Sequence, residues 1–380
     1  MTSAPSADTL YPPDRLTRAQ EATAAAGIDA LLLTPGADLR YLTGYDAHPS
    51  ERLTCLVVPA RGEPVLVVPL LEHPAAEASP ASGLGIQIIG WQETDDPFAL
   101  AAGLARDALG GDPARVGLAN RMWAEHAVRL RRALPTSEQL LAGEVLRRLR
   151  MRKAPAEIEA LRRAGAAIDR VHSRMGEWLR PGRTEAEVGR DIAQAIVDEG
   201  HAVMNFVVVG TGPNGSSPHH HTSDRVIEPG DPVLVDIGGT MSDGYCSDST
   251  RAYVVGPVPD DFAAYFEVLH EAQRAAVAAV RPGVTAESVD RAARDIIAAA
   301  GYGELFVHRT GHGIGLEEHE DPYVVAGNAE PLEPGMCFSV EPGIYLPGRH
   351  GARIEDIVAV TDDGVDRLNA ISTDLVVLEA

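Results

Sequence analysis

Three stretches of the 380-residue chain place carboxylates and imidazoles at spacings that suit a metal site. The first is VLVDIGGTMSDGYCSDSTR, residues 233–251, with Asp236 and Asp248 twelve positions apart. An apolar strand that ends at Asp236, a glycine-rich turn and a second strand through Asp248 would aim both carboxylates into one space. Aspartate is common in turns, so this pair gains its weight from the other two stretches. The second is HRTGHGIGLEEHEDP, residues 308–322, carrying His308, His312 and His319. Glycines at 311, 313 and 315 argue against a regular helix and let backbone approach a ligand closely. The third is FSVEPGIYLPGRHGARIEDIV, residues 338–358, with Glu341 at a strand end and Glu355 two places after Arg353. It repeats the order of the first stretch: acid, glycine turn, acid.

Carboxylates with some imidazole form a donor set for Mn²⁺, Co²⁺, Zn²⁺ or Fe²⁺ rather than a thiolate zinc site. Four converging carboxylates repel one another strongly. Two divalent cations would neutralise them, with two of the carboxylates bridging, and paired ions roughly 3.5–4 Å apart can activate a shared water. Six of the 13 histidines fall in two clusters, His219–His221 and His308–His319, which scatter would rarely produce. His48, His73, His126, His172, His201, His270 and His350 lack such company and are read as ordinary core or surface side chains.

The elements that must hold these groups can be read from the pattern. Residues 1–150 alternate short apolar runs (Ala30–Leu33, Leu53–Val58, Pro64–Leu70) with helical stretches (Asp14–Ala25, Pro97–Leu109), which predicts a small α/β domain. A basic stretch over 140–153 precedes helical periodicity over Ala154–Leu179, with Ile158, Leu161, Ile168, Val171 and Met175 on one face. The domain boundary is placed near 150, leaving 151–380 as a second domain. That second domain carries an internal repeat. LRPGRTEAEVGRDIAQAIVDEGH (179–201) aligns with VRPGVTAESVDRAARDIIAAAGY (280–302), each with a Pro-Gly stop, a threonine N-cap (Thr184, Thr285) and a closing glycine. Thr184 and Glu187 also form a capping box. EPGDPVLVDIG (228–238) then aligns with EPGMCFSVEPG (333–343), so Asp236 and Glu341 fall at matching places. Two helix–strand units related by a pseudo-twofold axis would bring one acid from each half to that axis.

Composition narrows the partners. A formal net charge of −22 disfavours binding to nucleic-acid phosphates or to an acidic membrane surface. No apolar run approaches the roughly 18–20 residues of a spanning helix, and the first residues do not read as a signal peptide. Three widely spaced cysteines (Cys55, Cys246, Cys337) predict neither a disulfide framework nor a CxxC zinc site, and fit a reducing, cytoplasmic compartment.

The spaced set DIGG…SDSTR, HRTGHGIG, SVEPGIY and RIED resembles the pita-bread metallopeptidases: Xaa-Pro dipeptidase (prolidase), aminopeptidase P and methionine aminopeptidase. The preceding domain is similar to the one shared by prolidase, aminopeptidase P and creatinase. The resemblance implies an α/β N-terminal domain followed by an α+β pita-bread catalytic domain. It implies metal ligands at Asp236, Asp248, His312, Glu341 and Glu355, with Asp248 and Glu355 bridging two divalent ions, Mn²⁺ first and Co²⁺ or Zn²⁺ as alternatives. It implies catalytic places for His219 near the scissile bond, His308 and His319 at the proline pocket and proton relay, Glu341 as a proton carrier and Arg353 as a gate. His220 and His221 match nothing in the family. The Asp236–Asp248 turn is one residue longer than usual, and Ile357 stands where some members have a polar residue. The implied activity is hydrolysis of an Xaa-Pro bond by a hydroxide activated between two metals, with the dipeptidase favoured over aminopeptidase P on longer peptides. A non-peptide C–N hydrolase on the same scaffold is the further alternative, although creatinase itself has lost the five ligands present here. A cytoplasmic homodimer acting on small peptides with proline second, with no nucleic acid or membrane partner, completes the expectation.

Overall fold

The computed structural model describes residues 10–380. Contacts divide it into two compact units, ending and starting at Arg150 and Met151.

The first unit runs α1 (Asp14–Ala25), β1 (Ala30–Leu33), α2 (Ala37–Thr43), β2 (Cys55–Pro59), β3 (Val65–Pro69), α3 (His73–Ala78) and β4 (Gln87–Trp91). It continues through α4 (Pro97–Leu109), β5 (Arg115–Leu118), α5 (Ala124–Ala133), β6 (Glu138–Leu141) and α6 (Gly143–Met151), the last crossing the division by one residue. One mixed sheet has the order β4-β3-β2-β1-β5-β6. Its central strands are buried along their whole length, as continuous apolar runs should be. α4 illustrates how sequence sets its ends. Asp96 caps the amides of Phe98 and Ala99, Pro97 takes the first helical position, and Gly110 closes it at φ 71°. Phe98, Ala101, Ala102 and Ala105 form the face buried against the sheet's core.

The second unit begins with α7 (Pro155–Ser173), α8 (Glu185–Asp198), β7 (His201–Thr211), β8 (Asp231–Met241), β9 (Cys246–Val255), α9 (Asp260–Ala279) and α10 (Ala286–Ala299). Short strands follow: β10 (Gly311–Gly313), β11 (Glu320–Val324), β12 (Cys337–Val340), β13 (Gly343–Leu346), β14 (His350–Arg353), β15 (Asp356–Val360), β16 (Val365–Arg367) and β17 (Val376–Leu378). They form sheets of order β17-β9-β8-β7 and β11-β10-β12-β15-β16, with β13-β14 as a separate hairpin. α7 is shorter than its periodicity suggests and gives way to a single 3₁₀ turn at Met175–Glu177.

The repeat is visible in hydrogen bonds. Before α8, Gly182 N–H donates to Ile227 at 3.0 Å; before α10, Gly283 N–H donates to Leu332 at 2.8 Å. Both glycines have φ near 85° (86° and 83°), where a side chain would be strained. Thr184 bridges to Val226 and Thr285 to Pro331 in the same way. The caps differ. Thr184 and Glu187 close a full capping box, whereas the Thr285 side chain makes no cap bond. Glu187 supplies the reciprocal bond in the first copy, and Ser288 at the matching place turns instead to the Thr285 carbonyl, 2.6 Å away.

One expectation needs correction. β8 does not end at Asp236 but continues through Gly238 and Gly239 to Met241, paired with β9 throughout. The glycines are there for close approach, not for the turn. A Cβ on Gly238 would collide with Phe206 and the Ser247 carbonyl, and one on Gly239 with His201 and Ile196. The turn itself lies after Met241, closed by Gly244 N–H to Met241.

His172, on α7, is buried between Tyr253 Oη (2.9 Å) and the Ser249 carbonyl (3.1 Å). Burial, aided by the Arg251 charge, pushes its pKa down to about 3. An unfolded chain would hold a proton here below its ordinary value of about 6.5. The unfolded state therefore binds more protons between those values, and stability falls as pH falls below 6.5. In metal-free protein this histidine should cost about 2 kcal/mol between pH 6.5 and pH 5. Chemical denaturation across that range should show a steeper loss in the wild type than in His172→Gln; equal slopes would refute the assignment.

Candidate metal centre

The two arms of the β8–β9 hairpin carry Asp236 and Asp248 on paired strands, Gly238 facing Asp248 in register. His312 is the middle residue of β10, Glu341 follows β12 directly, and Glu355 sits between β14 and β15. All five expected ligands meet at the floor of one cavity of about 930 Å³ within the second unit. Ligating atoms of Asp236, Asp248 and Glu355 lie within 4.8 Å of one another, and so do those of His312, Glu341 and Glu355. A third such group joins Asp248, His312 and His319. Asp248, Glu355 and His312 each belong to two groups, so the groups overlap through two carboxylates, as two neighbouring cations with shared carboxylates require.

The electrostatics fit the same reading. Four carboxylates face the Arg353 guanidinium, whose Nη2 is 2.5 Å from Asp236 Oδ2. If all are ionised the cluster carries −4 + 1 = −3, which two divalent cations offset. Without them the carboxyls resist ionisation. Burial, with Glu355 and Asp236 nearby, holds Asp248 well above the usual carboxylate range. Burial, with Glu341 and Asp236, does the same to Glu355. Burial pushes Glu341 up to about 7, and Arg353 offsets only part of that. The His312 ring is lowered to about 3 by burial and by His319 beside it, so it is the neutral imidazole a cation needs. Its Nε2 stands 3.3 Å from Glu341 Oε1 and 3.7 Å from Asp248 Oδ2. The donor set and its charge therefore suit a pair of divalent ions.

The other expected residues are brought to the same cavity. His219, His308, His319 and Arg353 all line it. His319 lies with its ring centroid 3.8 Å from that of His312. His308 is kept neutral, its pKa lowered to about 3 by burial and the Arg353 charge, and its Nε2 meets Tyr345 Oη at 2.9 Å. Tyr345 Oη in turn accepts from Arg353 at 2.6 Å, so the histidine wall is tied to the carboxylate floor.

Several participants have no spacing that marks them. Thr250 Oγ1 stands 2.9 Å from Asp236 Oδ1 and 2.7 Å from Glu355 Oε2, with one proton to give, and orients both carboxylates. Ser339 donates to Glu341 Oε1 at 3.0 Å and accepts the His312 amide at 3.0 Å. His220, which matches nothing in the family pattern, has a definite partner. Its Nε2 is 2.7 Å from Glu185, a fully buried carboxylate at the start of α8. Glu185 also accepts from Thr211, Asn214 and Ser223, and so holds the loop that presents His219. The signal that could have found it is the charge itself: an acid in a helix's first turn beside three histidines and several hydroxyls downstream. His221 lines the cavity.

Residues 159–362 match the model of metallopeptidase family M24, and residues 15–152 match that of the creatinase/prolidase N-terminal domain. A probable dipeptidase PepE of Mycobacterium bovis is 55% identical over 364 residues, 96% of each chain. An Xaa-Pro dipeptidase of Lactobacillus helveticus is 38% identical over 90% of this chain and 92% of its own. The crystal structure of dipeptidase PepE from Mycobacterium ulcerans superposes with a TM-score of 0.92 at 54% identity, covering 99% of this chain and 100% of that one.

Mn²⁺ added to stripped protein at about 100 times its dissociation constant should stabilise the fold by about 2.7 kcal/mol per site. Asp248→Asn should melt close to the stripped wild type, because the buried carboxyl it replaces already favours its neutral form. It should gain little of the Mn²⁺ stabilisation. An equal rise in melting temperature for both proteins would remove Asp248 from the ligand set.

Proposed function

The chain belongs to metallopeptidase family M24, and from that premise we propose that it is an Xaa-Pro dipeptidase using two divalent ions, Mn²⁺ first with Co²⁺ or Zn²⁺ as alternatives. One observation carries the reading: Glu355 and Asp248 are each shared between ligand groups at the floor of a cavity walled by His219, His308 and His319. The names of the relatives favour Xaa-Pro and dipeptide substrates.

Asp236, Asp248, His312, Glu341 and Glu355 would hold the ions. When bound, such ions polarise a carbonyl and make water acidic enough to ionise near neutral pH. The residues of the chain do the rest. Arg353 stays charged and keeps Asp236 oriented through its 2.5 Å contact, leaving the other carboxylate oxygens for cations. Glu341, at the end of β12 beside the His312 ring, is the carboxylate placed to take a proton and pass it to the leaving nitrogen. His308 is neutral, with its ring nitrogens held by the Arg309 carbonyl and Tyr345, and gives the pocket a fixed wall, while His219 on the same wall offers an imidazole edge to the carbonyl oxygen or a substrate terminus. The bond before proline is a tertiary amide, and the proline nitrogen has no hydrogen to donate. A site that recognises an imino acid by shape and imidazole contacts, rather than by a backbone hydrogen bond, suits it. The same proposal takes the enzyme as a cytoplasmic homodimer whose partners are small peptides, not nucleic acid or membrane. The net charge of −22 and three buried thiols support that setting.

Release of proline from Xaa-Pro dipeptides, beside matched Xaa-Pro-Yaa tripeptides, tests this directly. Stripped protein refilled with Mn²⁺, Co²⁺ or Zn²⁺ should cleave the dipeptides, and Asp248→Ala should lose at least about 100-fold in kcat/KM. Preferred cleavage of tripeptides would reassign it to aminopeptidase P. No turnover of either set, with metal bound, would point to a non-peptide C–N bond.

A further inference from the structure

The chain has 32 arginines and a single lysine, Lys153. Arginine serves even where the cation is deeply buried, as at Arg251 against Asp356 and Arg353 against Asp236. The one ammonium is therefore notable for where it lies. The Lys153 side chain is 1% exposed, and its Nζ is 2.7 Å from Glu320 Oε1, whose side chain is 8% exposed. Neither residue lines the cavity. Yet Glu320 follows His319 directly, and in the β10–β11 pairing it faces Gly313, the neighbour of His312, across a register irregularity.

Backbone packs closely at both ends of the pair. Lys153 N–H donates to the Gly335 carbonyl at 2.8 Å, and Gly335, at φ 89°, lies so close that a Cβ would meet the Lys153 carbonyl. At the other end the Glu320 carboxylate rests on Gly315, where a Cβ would come within 2.7 Å of Oε1. The Gly315 carbonyl accepts the Cys246 amide at 2.9 Å, at the root of the strand that carries Asp248. A compact ammonium with three rotatable donors meets this carboxylate, a geometry that a planar guanidinium fork does not reproduce.

We propose that Lys153 is a positioning residue: acting through Glu320, it fixes the turn that sets the His312 and His319 rings against each other. The pair is out of reach of substrate and acts only through those rings. This rests on the reading of the cavity as the metal and peptide site, and its test is arranged to stand apart from that reading.

Three variants are compared with the wild type: Lys153→Arg, Lys153→Met, and Lys153→Met with Glu320→Gln. The double variant removes both members of this ion pair together and should fold and melt near the wild type, since replacing both members of a buried ion pair is often tolerated. It should nevertheless bind Zn²⁺ about tenfold or more weakly by calorimetry and lose about tenfold or more in kcat with KM little changed. Lys153→Arg should share these losses although its charge is kept. Wild-type Zn²⁺ affinity and kcat in the double variant would overturn the proposal. A measurement on the intact protein guards against misfolded variants. With ¹³C-labelled lysine the chain gives one side-chain Cε signal, which should move as Zn²⁺ is titrated into stripped wild-type protein. A signal that stays fixed through saturation would likewise overturn it. If the wild type cleaves no Xaa-Pro substrate, the peptidase reading fails, while the Zn²⁺ affinities and the lysine signal still decide the role of Lys153.

Discussion

Four carboxylates held in one buried space, with the Arg353 guanidinium among them, set the terms for the rest of the second unit. Such a cluster is costly in a low-dielectric interior. Part of the cost is avoided by proton uptake, which is why Asp248, Glu355 and Glu341 are all displaced upward. Part is offset by hydrogen bonds to the oxygens that face protein: Thr250 between Asp236 and Glu355, Ser339 on Glu341, Arg353 on Asp236. The remaining oxygens lie close together, where either protons or cations can satisfy them. The fold thus stores an affinity for divalent ions as electrostatic tension that packing alone does not relieve.

Holding that cluster takes the same device twice. In the first half Glu185, at the start of α8, accepts the Thr211 amide and hydroxyl at 2.8 and 2.9 Å. In the second half Asp290, in α10, accepts the Thr310 amide and hydroxyl at 3.2 and 2.8 Å. Each threonine begins a segment that delivers an imidazole, the loop with His219 in one case and β10 with His312 in the other. Each carboxylate is almost wholly inaccessible and fully partnered, so each behaves as a rigid post. The two posts do not align in sequence: offset by 101, Glu185 would match Ala286. The symmetry survives in hydrogen bonding after it has been lost in residue identity.

That explains how far the sequence could be read. Elements with local signals were legible to the residue: α1, α4 and β1 follow from periodicity, an Asp96 cap and flanking glycines. The five carboxylate and imidazole positions were legible as well, because each lies in a short stretch where glycines or prolines stand close to acids and histidines. Their roles as ligands rest on the resemblance and on the geometry that now brings them together. What stayed hidden depends on partners far along the chain. The length of β8 is set by Phe206 and His201 lying over Gly238 and Gly239. The missing reciprocal bond at Thr285 reflects Ser288, which turns to the Thr285 carbonyl where Glu187 reaches back to an amide. Lys153 and Glu320 are separated by 167 positions, and no local pattern links them.

The glycines of the histidine loop show how the same residues can be read two ways. Their spacing suggests backbone laid open to a ligand. In the fold they are places where strands press together. A Cβ on Gly311 would strike the Ser339 carbonyl, one on Gly313 the Asp321 carbonyl, and one on Gly315 the Glu320 carboxylate. The loop is therefore packed tightly against β11 and β12, and it carries its imidazoles on fixed backbone. Fixed placement matters for the chemistry, because a displacement of about 1 Å at reacting groups can cost about a hundredfold in rate. Glycine here supplies rigidity by proximity: it lets three segments approach until none of them can move without the others. The carboxylate cluster needs that rigidity most, since mutual repulsion would otherwise push its members apart before any cation arrived.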